Sequence, residues 1–223
     1  MSASTSPRRG RPVRVSRDVV VDTALRLVSA RGHDGVSMRG LADELGVSTA
    51  AVYHHFPTKA ALFIAVLSAR AEELERPELP EDPRDRLVAI VAYLIDTLYR
   101  MPWVTDILVA GESFGRAAMW ILEEFVSTAV ALGADDEYAG YMYSVSWRFV
   151  LGELAMRRAD DERTAAAAQG RPRPRWTDEA PEQLAEFPVV LRMIPRWGTI
   201  RADYRTETAV GHLIDGLLTD IAR

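Results

Sequence analysis

The chain has 223 residues, of which 48% are apolar, enough to form a packed core in one or two domains. It contains no cysteine, which excludes disulfides and thiolate metal sites, and no apolar run approaches the roughly 20 residues that cross a bilayer. No apolar block follows the N-terminal arginines as it would in a secretory signal, so we expect a cytoplasmic protein. We also expect that it has no cofactor.

The net charge of −5 is distributed unevenly along the chain. Residues 1–60 hold nine Lys and Arg against five Asp and Glu, which leaves eighteen basic and twenty-seven acidic residues in the remainder. Attraction to phosphate depends on the charge within a Debye length of about 8–10 Å. The basic N-terminal part therefore remains compatible with nucleic-acid binding.

Residues 1–15 consist mainly of Ser, Pro, Gly and Arg and offer little to bury, so we expect a disordered basic arm. Its four arginines are Arg8, Arg9, Arg11 and Arg14. Such an arm can lie along phosphates or enter a minor groove, and a solvated tail is an equally good interpretation.

The first predicted helix covers residues 17–30. Ser16 or Asp18 can cap its N-terminus, and Gly32 ends it. Its apolar stripe, at helical spacing, indicates that it supports the helices that follow.

Residues 36–59, VSMRGLADELGVSTAAVYHHFPTK, have the pattern of two short helices joined by a tight turn. Ser37 caps the first helix and Gly46 ends it, and Ser48 caps a second helix that runs to about His55. Val52 and Phe56 are four residues apart, so both side chains are expected to pack inward from the second helix. The side chains that it leaves outward are Thr49, Ala50, Tyr53 and His54. A helix with small residues at its start can approach base edges in a major groove, whereas an ordinary αα-hairpin is the alternative.

The stretch from Ser16 to about Leu67 resembles the DNA-binding domain of the TetR (tetracycline-repressor type) transcriptional regulators. Several matching features occur in order at the right spacing: Ala24-Leu25-Arg26-Leu27, Gly32, Ser37-Met38-Arg39-Gly40-Leu41-Ala42, Leu45-Gly46-Val47-Ser48, Ala51-Val52-Tyr53, His55-Phe56 and Lys59-Ala60-Ala61-Leu62. This resemblance covers about a quarter of the chain closely and places a helix-turn-helix domain at residues 16–62.

The resemblance implies a set of DNA contacts in this domain. The Tyr53 hydroxyl can donate to a phosphate, and His55 resembles the position that contacts the sugar-phosphate backbone. His54 and His55 are adjacent on a helix and face different directions, so they cannot form a metal pair. The candidate DNA-binding residues are Ser37, Arg39, Ser48, Thr49, Ala50, Tyr53, His54, His55 and Lys59.

Residues 63–223 are expected to form a helical bundle, so the predicted fold class is all-α. The pattern predicts helices at about 59–76, 85–101, 103–112, 114–132, 135–158, 187–197 and 204–221, with no strand alternation. The polar stretch at about 158–181 is predicted to be a mobile loop, either a lid over a ligand entrance or a plain surface insertion.

The helix at 135–158 is apolar on all sides, and the last helix carries one continuous apolar stripe. A small bundle cannot bury every face of such helices, so we expect them to pair with their copies in a homodimer, with intrachain packing as the alternative. The candidate interface residues are Tyr138, Met142, Val145, Phe149, Val210, Leu213, Ile214 and Leu217.

The resemblance also implies a small effector held inside the C-terminal bundle. The aromatic and Met residues that suit a planar apolar molecule are Tyr99, Trp103, Met119, Trp120, Phe125, Tyr143 and Trp147, although aromatic residues at helical spacing are more often plain core. The leading hypothesis is a dimeric repressor that an apolar or aromatic effector releases from a palindromic double-stranded DNA operator. An architectural DNA-binding protein without an effector is the alternative. A helical enzyme ranks below both, since no nucleophile elbow, phosphate loop or metal cluster is visible.

Overall fold

The computed structural model describes residues 15–109, 116–172, 178 and 184–221. Within these ranges it contains ten α-helices and no strand, so the predicted all-α class is confirmed. The predicted basic arm lies, apart from Val15, outside the described residues.

The chain divides into two compact units, and the first is formed within Met1–Glu75 and Met101–Trp120. Its helices are α1 (Arg17–Arg31), α2 (Met38–Leu45), α3 (Thr49–His55), α4 (Lys59–Glu72) and α6 (Pro102–Val109), followed by a 3₁₀ turn, Arg116–Ala118. Helix α1 packs against α2 and α4. The buried centre of these helices is formed by Val20, Ala24, Leu27, Val28, Leu41, Ala42, Val52, Phe56, Leu62, Phe63 and Val66.

The second unit is formed within Arg76–Arg100 and Ile121–Arg223. Its helices are α5 (Pro83–Tyr99), most of α7 (Met119–Ala131), α8 (Asp136–Ala168), α9 (Pro188–Ala202) and α10 (Thr206–Ile221). Helix α5 packs against both α8 and α10, and Arg86 of α5 pairs with Glu124 of α7 at 2.8 Å. Helix α5 therefore lies at the centre of this unit.

Local capping chemistry explains where the helices begin. The hydroxyl of Ser16 accepts a hydrogen bond from the N–H of Val19 at 3.3 Å, so of the two candidate caps of α1 it is Ser16, and not Asp18, that caps the helix. Asp82 and Asp135 accept equivalent bonds at the starts of α5 and α8. Each cap satisfies an N–H group that the first helical turn leaves without a partner.

Helix α8 is longer than the sequence analysis predicted. It continues through Ala168, so residues 158–168, which were predicted to open the loop, are helical instead. Two features explain the extension: residues 165–168 are all alanine, the best helix former, and Asp160 pairs with Arg163 one turn later and with Arg201 of α9. Residues 173–177 and 179–183 of the predicted loop lie outside the described residues.

Helix α9 begins with Pro188 and extends beyond the predicted residue 197 to Ala202, with Pro195 in its interior. None of its residues is buried within the single chain. In the part of the chain that the structure describes, no single helix has both the length and the apolar character needed to cross a membrane, although α5 and α6 counted together would pass that test.

Candidate nucleic-acid interface

Three residues set the limits of α2 and the start of α3: two serine side chains cap the helices and one glycine ends α2. Ser37 caps α2 by accepting from the N–H of Gly40 at 3.0 Å. Gly46 ends α2 in the left-handed region, at φ 66° and ψ 29°, which glycine adopts without a steric penalty. Ser48 then caps α3 by accepting from the N–H of Ala51 at 3.2 Å. The two helices are thus joined by a three-residue turn, as the sequence predicts.

Helix α3 has one buried face and one exposed face. Val52 is fully buried and the adjoining Phe56 is 1% exposed, so both hold the helix to the core. Tyr53 is 48% exposed although it is a large aromatic side chain. Ala50 and His54 are also exposed, and Thr49 is partly exposed. The four residues predicted to point outward therefore share the solvent face of α3.

His55, at the C-terminal end of α3, does not point freely to solvent. Its Nε2 lies 2.9 Å from the carbonyl oxygen of Val15, which precedes Ser16, the N-cap of α1. Since a carbonyl can only accept, Nε2 carries the hydrogen in this contact. Arg17 adds a second contact at the same place, with its guanidinium 4.7 Å from the centre of the Phe56 ring. The sequence offered no signal for the His55 contact, because the two residues are 40 positions apart.

Lys59 begins α4, which Thr58 caps by accepting from the N–H of Ala61 at 3.0 Å. The Lys59 ammonium donates to the carbonyl of His33 at 3.3 Å and lies 5.2 Å from the centre of the Phe63 ring. It is held by weak contacts at the surface and remains partly exposed. The ammonium has three N–H donors, so the two that do not bond to the His33 carbonyl are available to another acceptor.

The remaining candidates lie at the start of α2, where Ser37 and Arg39 are both exposed. At the other end of α2, Glu44 pairs with Arg26 of α1 at 2.7 Å, and the hydrogen bond from Arg26 lowers the pKa of the Glu44 carboxyl. This pair links α1 to α2, and sequence spacing alone does not reveal it.

The seven candidate effector residues fall in both units. Trp103, Met119 and Trp120 belong to the first unit, where Trp103 is buried and Met119 is exposed. The other four, Tyr99, Phe125, Tyr143 and Trp147, belong to the second unit.

Within the second unit the structure brings Phe125 and Tyr143 together, with ring centres 5.5 Å apart in an edge-to-face arrangement. Burial raises the pKa of Tyr143 to about 12. Tyr99 is engaged differently, since its hydroxyl donates to Asp161 at 2.7 Å and the Arg157 guanidinium lies 5.3 Å from its ring centre.

A polar network that the sequence analysis did not find joins α5, α8 and the start of α10. Arg157 donates to Glu153 at 3.0 Å, to Asp96 at 3.1 Å and to the hydroxyl of Thr206 at 2.8 Å. A second bond to Glu153 comes from the Tyr204 hydroxyl at 2.9 Å. The network borders a cleft of about 260 Å³. Its charges pair with one another, so the network fastens these helices together.

The candidate interface residues divide into two groups. Met142, Val210, Ile214 and Leu217 are buried within one chain, so they pack in its own core. Val145, Phe149 and Leu213 remain partly exposed. Tyr138 donates its hydroxyl to the carbonyl of Leu217 at 2.8 Å and its ring stacks on Tyr141, which is 57% exposed. The apolar side chains that these two helices leave accessible are therefore those of the partly exposed group, together with Tyr141.

Comparisons with known proteins agree with this architecture. Residues 20–66 match the family of bacterial regulatory proteins described as the tetR family, and residues 76–221 match the tetracyclin repressor-like C-terminal domain. An HTH-type transcriptional regulator from Saccharopolyspora erythraea is 30% identical over 183 residues, which cover 78% of this chain and 75% of that protein. The HTH-type transcriptional repressor DrrR1 from Streptomyces coeruleorubidus is 29% identical over 136 residues, which cover 58% of this chain. The match spans only about half (49%) of the length of DrrR1.

Two solved structures of ActR from Streptomyces coelicolor have a similar fold. The apo form has a TM-score of 0.70 at 24% identity, with 95% of this chain and 99% of that chain covered. The form in complex with actinorhodin has a TM-score of 0.68 at 23% identity, with 93% and 97% covered. At this level of identity the likeness establishes the fold alone.

Proposed function

Since this chain belongs to the TetR family of bacterial regulatory proteins, we propose that it is a homodimeric repressor that leaves a palindromic DNA operator when a small effector binds. Members of this family are DNA-binding transcription factors and not enzymes, which removes the hypothesis of a helical enzyme. Binding to a palindromic operator and release by a small effector are both part of what we propose.

The observation that carries the proposal is the division of α3 into two faces. Val52 and Phe56 hold the helix to the core, while Tyr53 is left 48% exposed beside small residues at the helix start. A helix presented in this way can enter the major groove, with Thr49 and Ala50 near base edges and the Tyr53 hydroxyl donating to a phosphate. Ser37, Arg39 and Lys59 would flank it with contacts to the backbone.

The dimer follows from exposed apolar side chains on α8. Tyr141, Val145 and Phe149 recur at helical spacing and are not buried within one chain. Covering them with a second copy would remove apolar surface from water and give the protein a two-fold axis. A two-fold protein reads a palindromic site through half-sites one helical turn, or a multiple of it, apart.

For the effector we propose an apolar or aromatic molecule that contacts the Phe125–Tyr143 pair. Tyr143 is partly exposed and its ring packs edge to face on the fully buried Phe125 at 5.5 Å, so Tyr143 would supply the ring contact, and its desolvated hydroxyl would supply one polar contact in an apolar setting. A related fold, that of ActR, has been solved in complex with actinorhodin. The effector would favour an arrangement of the dimer in which the two α3 helices no longer match the half-sites.

The proposal is tested by selecting duplexes from a random-sequence library with the purified chain. We expect recovery of a palindrome that binds one dimer, followed by release when an effector is added. Recovery of duplexes without symmetry, or of a site from which no tightly bound small molecule releases the protein, would favour the architectural alternative.

A further inference from the structure

We propose that the effector is an aromatic molecule with an oxygen substituent, and that the buried hydroxyl of Ser146 is the group that binds this oxygen. Ser146 lies on α8, three residues after Tyr143, whose ring contacts Phe125. The inference rests on the function proposed above. It adds a second polar contact to the effector site, and this contact defines the chemical class of the effector.

The Ser146 hydroxyl differs from other hydroxyls in the helices of this protein. Ser146 is 2% exposed, and its Oγ has no hydrogen-bond partner in the part of the chain that the structure describes. A serine or threonine inside a helix can donate to the carbonyl four residues earlier. Thr128, Thr164 and Thr219 make this bond, at 2.6 Å, 2.9 Å and 2.9 Å respectively. Ser146 is therefore a buried hydroxyl that the local helix does not satisfy.

A serine in this state lowers the stability of the folded chain. The hydroxyl loses its hydrogen bonds to water on burial, and no bond within the protein replaces them. Most buried polar groups in proteins are paired for this reason. Alanine would occupy almost the same space without this cost, and it is also the better helix former. A ligand that bonds to Ser146 would give the hydroxyl the partner that the chain does not supply.

The surroundings of Ser146 indicate the kind of ligand. Residues three apart on a helix have Cβ atoms about 5–6 Å apart, so Tyr143 and Ser146 are neighbours on α8. Tyr143 is partly exposed, and its ring lies edge to face with the fully buried Phe125. Burial raises the pKa of Tyr143 to about 12, and no hydrogen bond from a described residue contributes to this rise.

An aromatic ring and a polar substituent would use different parts of this site. The ring of the ligand would pack against Tyr143, while its oxygen would pair with Ser146. A hydrocarbon of the same shape would leave the Ser146 hydroxyl without a partner. Sites that contain a buried hydrogen-bonding group discriminate against ligands that cannot bond to it. The site should therefore prefer a phenol or a quinone to the corresponding hydrocarbon.

The test compares naphthalene with 2-naphthol, which differ by one hydroxyl group. Calorimetric titration of the full chain without DNA measures the affinity of each probe. We expect the wild-type chain to bind 2-naphthol more tightly than naphthalene. Ser146→Ala should weaken 2-naphthol binding about fivefold, as expected for one uncharged hydrogen bond, and should change naphthalene binding by less than about twofold.

Urea unfolding of the ligand-free variants separates a ligand contact from a structural role. Ser146→Ala should raise the urea midpoint, because it removes a buried hydroxyl that has no partner. Thr128→Val is the matched control, since the Thr128 hydroxyl is also buried but donates to the carbonyl of Glu124. Its midpoint should fall, and any change in affinity should be the same for both probes.

Several outcomes would overturn the proposal. A lower midpoint for Ser146→Ala, or a variant that does not fold, would show that the hydroxyl is bonded within the folded protein. Equal wild-type affinities for the two probes, equal losses for both in Ser146→Ala, or no binding of 2-naphthol would also contradict it. A wild-type chain that binds 2-naphthol but no duplex would instead refute the proposed repressor, so the two failures are distinguishable.

Discussion

Arg84, in the first turn of α5, donates two parallel hydrogen bonds to the carboxylate of Asp215 in α10. Nε lies 2.8 Å from Oδ1 and one terminal nitrogen, Nη2, lies 2.9 Å from Oδ2. One turn before Asp215 is Gly211, where an added Cβ would lie 3.0 Å from the same Nη2. The absence of a side chain at Gly211 therefore leaves room for the guanidinium.

This relationship predicts different outcomes for two glycine substitutions in α10. Gly216→Ala should raise the free energy of unfolding by about 1 kcal/mol, since alanine is the better helix former and its Cβ meets nothing within 4 Å. Gly211→Ala should gain less, because its methyl group displaces the Arg84 guanidinium. Urea unfolding at one protein concentration measures both changes, and the difference should shrink in an Asp215→Asn background. Equal gains in the wild-type background would contradict the role given to Gly211.

The C-terminal end of α8 should depend on pH through Asp160. Hydrogen bonds from Arg163, and after it from Arg201, lower the pKa of Asp160 from 3.8. A lowered pKa means that this stabilisation is complete above the ordinary pKa and is lost as the pH falls through the lowered value. Hydrogen exchange at residues 162–168, corrected for intrinsic rates, should therefore accelerate in acid.

In the Asp160→Asn variant these amides should exchange faster at neutral pH, and the acid-dependent change should disappear. Asp161→Asn is the control, because Asp161 accepts from Tyr99 and not from the two arginines. Exchange that is equally slow in both variants at neutral pH would show that the ion pairs do not hold this end of the helix.

Tyr53 is predicted to contribute one hydrogen bond to a phosphate. Tyr53→Phe should weaken operator binding about fivefold, equivalent to ~1 kcal/mol for one hydrogen bond. The free energy of unfolding should not change, since the side chain is 48% exposed. Tyr204→Phe, which removes a hydroxyl in the second unit, is the matched control for DNA affinity. An unchanged affinity for Tyr53→Phe would remove Tyr53 from the interface.

Lys59 and Ala50 should affect DNA binding in different ways. Lys59→Ala should weaken binding to all duplexes alike and lower the salt slope by about 1, as expected for the loss of one phosphate contact. Ala50→Gln should change the preference among duplexes while the slope stays constant, because in the proposed complex a side chain at position 50 would face base edges. Fluorescence anisotropy over a range of salt concentrations distinguishes the two. A sequence-dependent effect of Lys59→Ala would count against its assignment to the backbone.

The proposed dimer can be tested at Gly216 with a bulky side chain. Gly216 is exposed and an added Cβ there meets nothing within 4 Å, so Gly216→Trp should fold, but the added ring should obstruct the approach of a second copy through α8 and α10. Sedimentation of this variant should show a monomer. Its affinity for the operator should be lower than that of the wild-type chain. Gly198 on α9 is likewise exposed with nothing within 4 Å of an added Cβ, and Gly198→Trp should leave the dimer intact. A dimeric Gly216→Trp would move the interface to another surface.

The helix-turn-helix could be predicted closely because its chemistry is local. Ser37, Ser48 and Thr58 each cap a helix through an N–H three residues later, and Gly46 ends α2 with its own backbone conformation. Interactions across three or four residues are determined by short sequence patterns. The same principle could have corrected the end of α8, since four consecutive alanines favour continued helix over loop.

Contacts between residues far apart in the sequence could not be predicted from short sequence patterns. Val15 and His55 are 40 positions apart and Arg84 and Asp215 are 131 apart, and neither pair follows from a periodic pattern. Periodicity marks an apolar stripe on α10, but only packing against α5 and α8 buries Val210 and Ile214 and leaves Leu213 partly exposed. Helix formation and capping depend on neighbours along the chain, whereas the partner of a side chain depends on where the whole chain places the other helices.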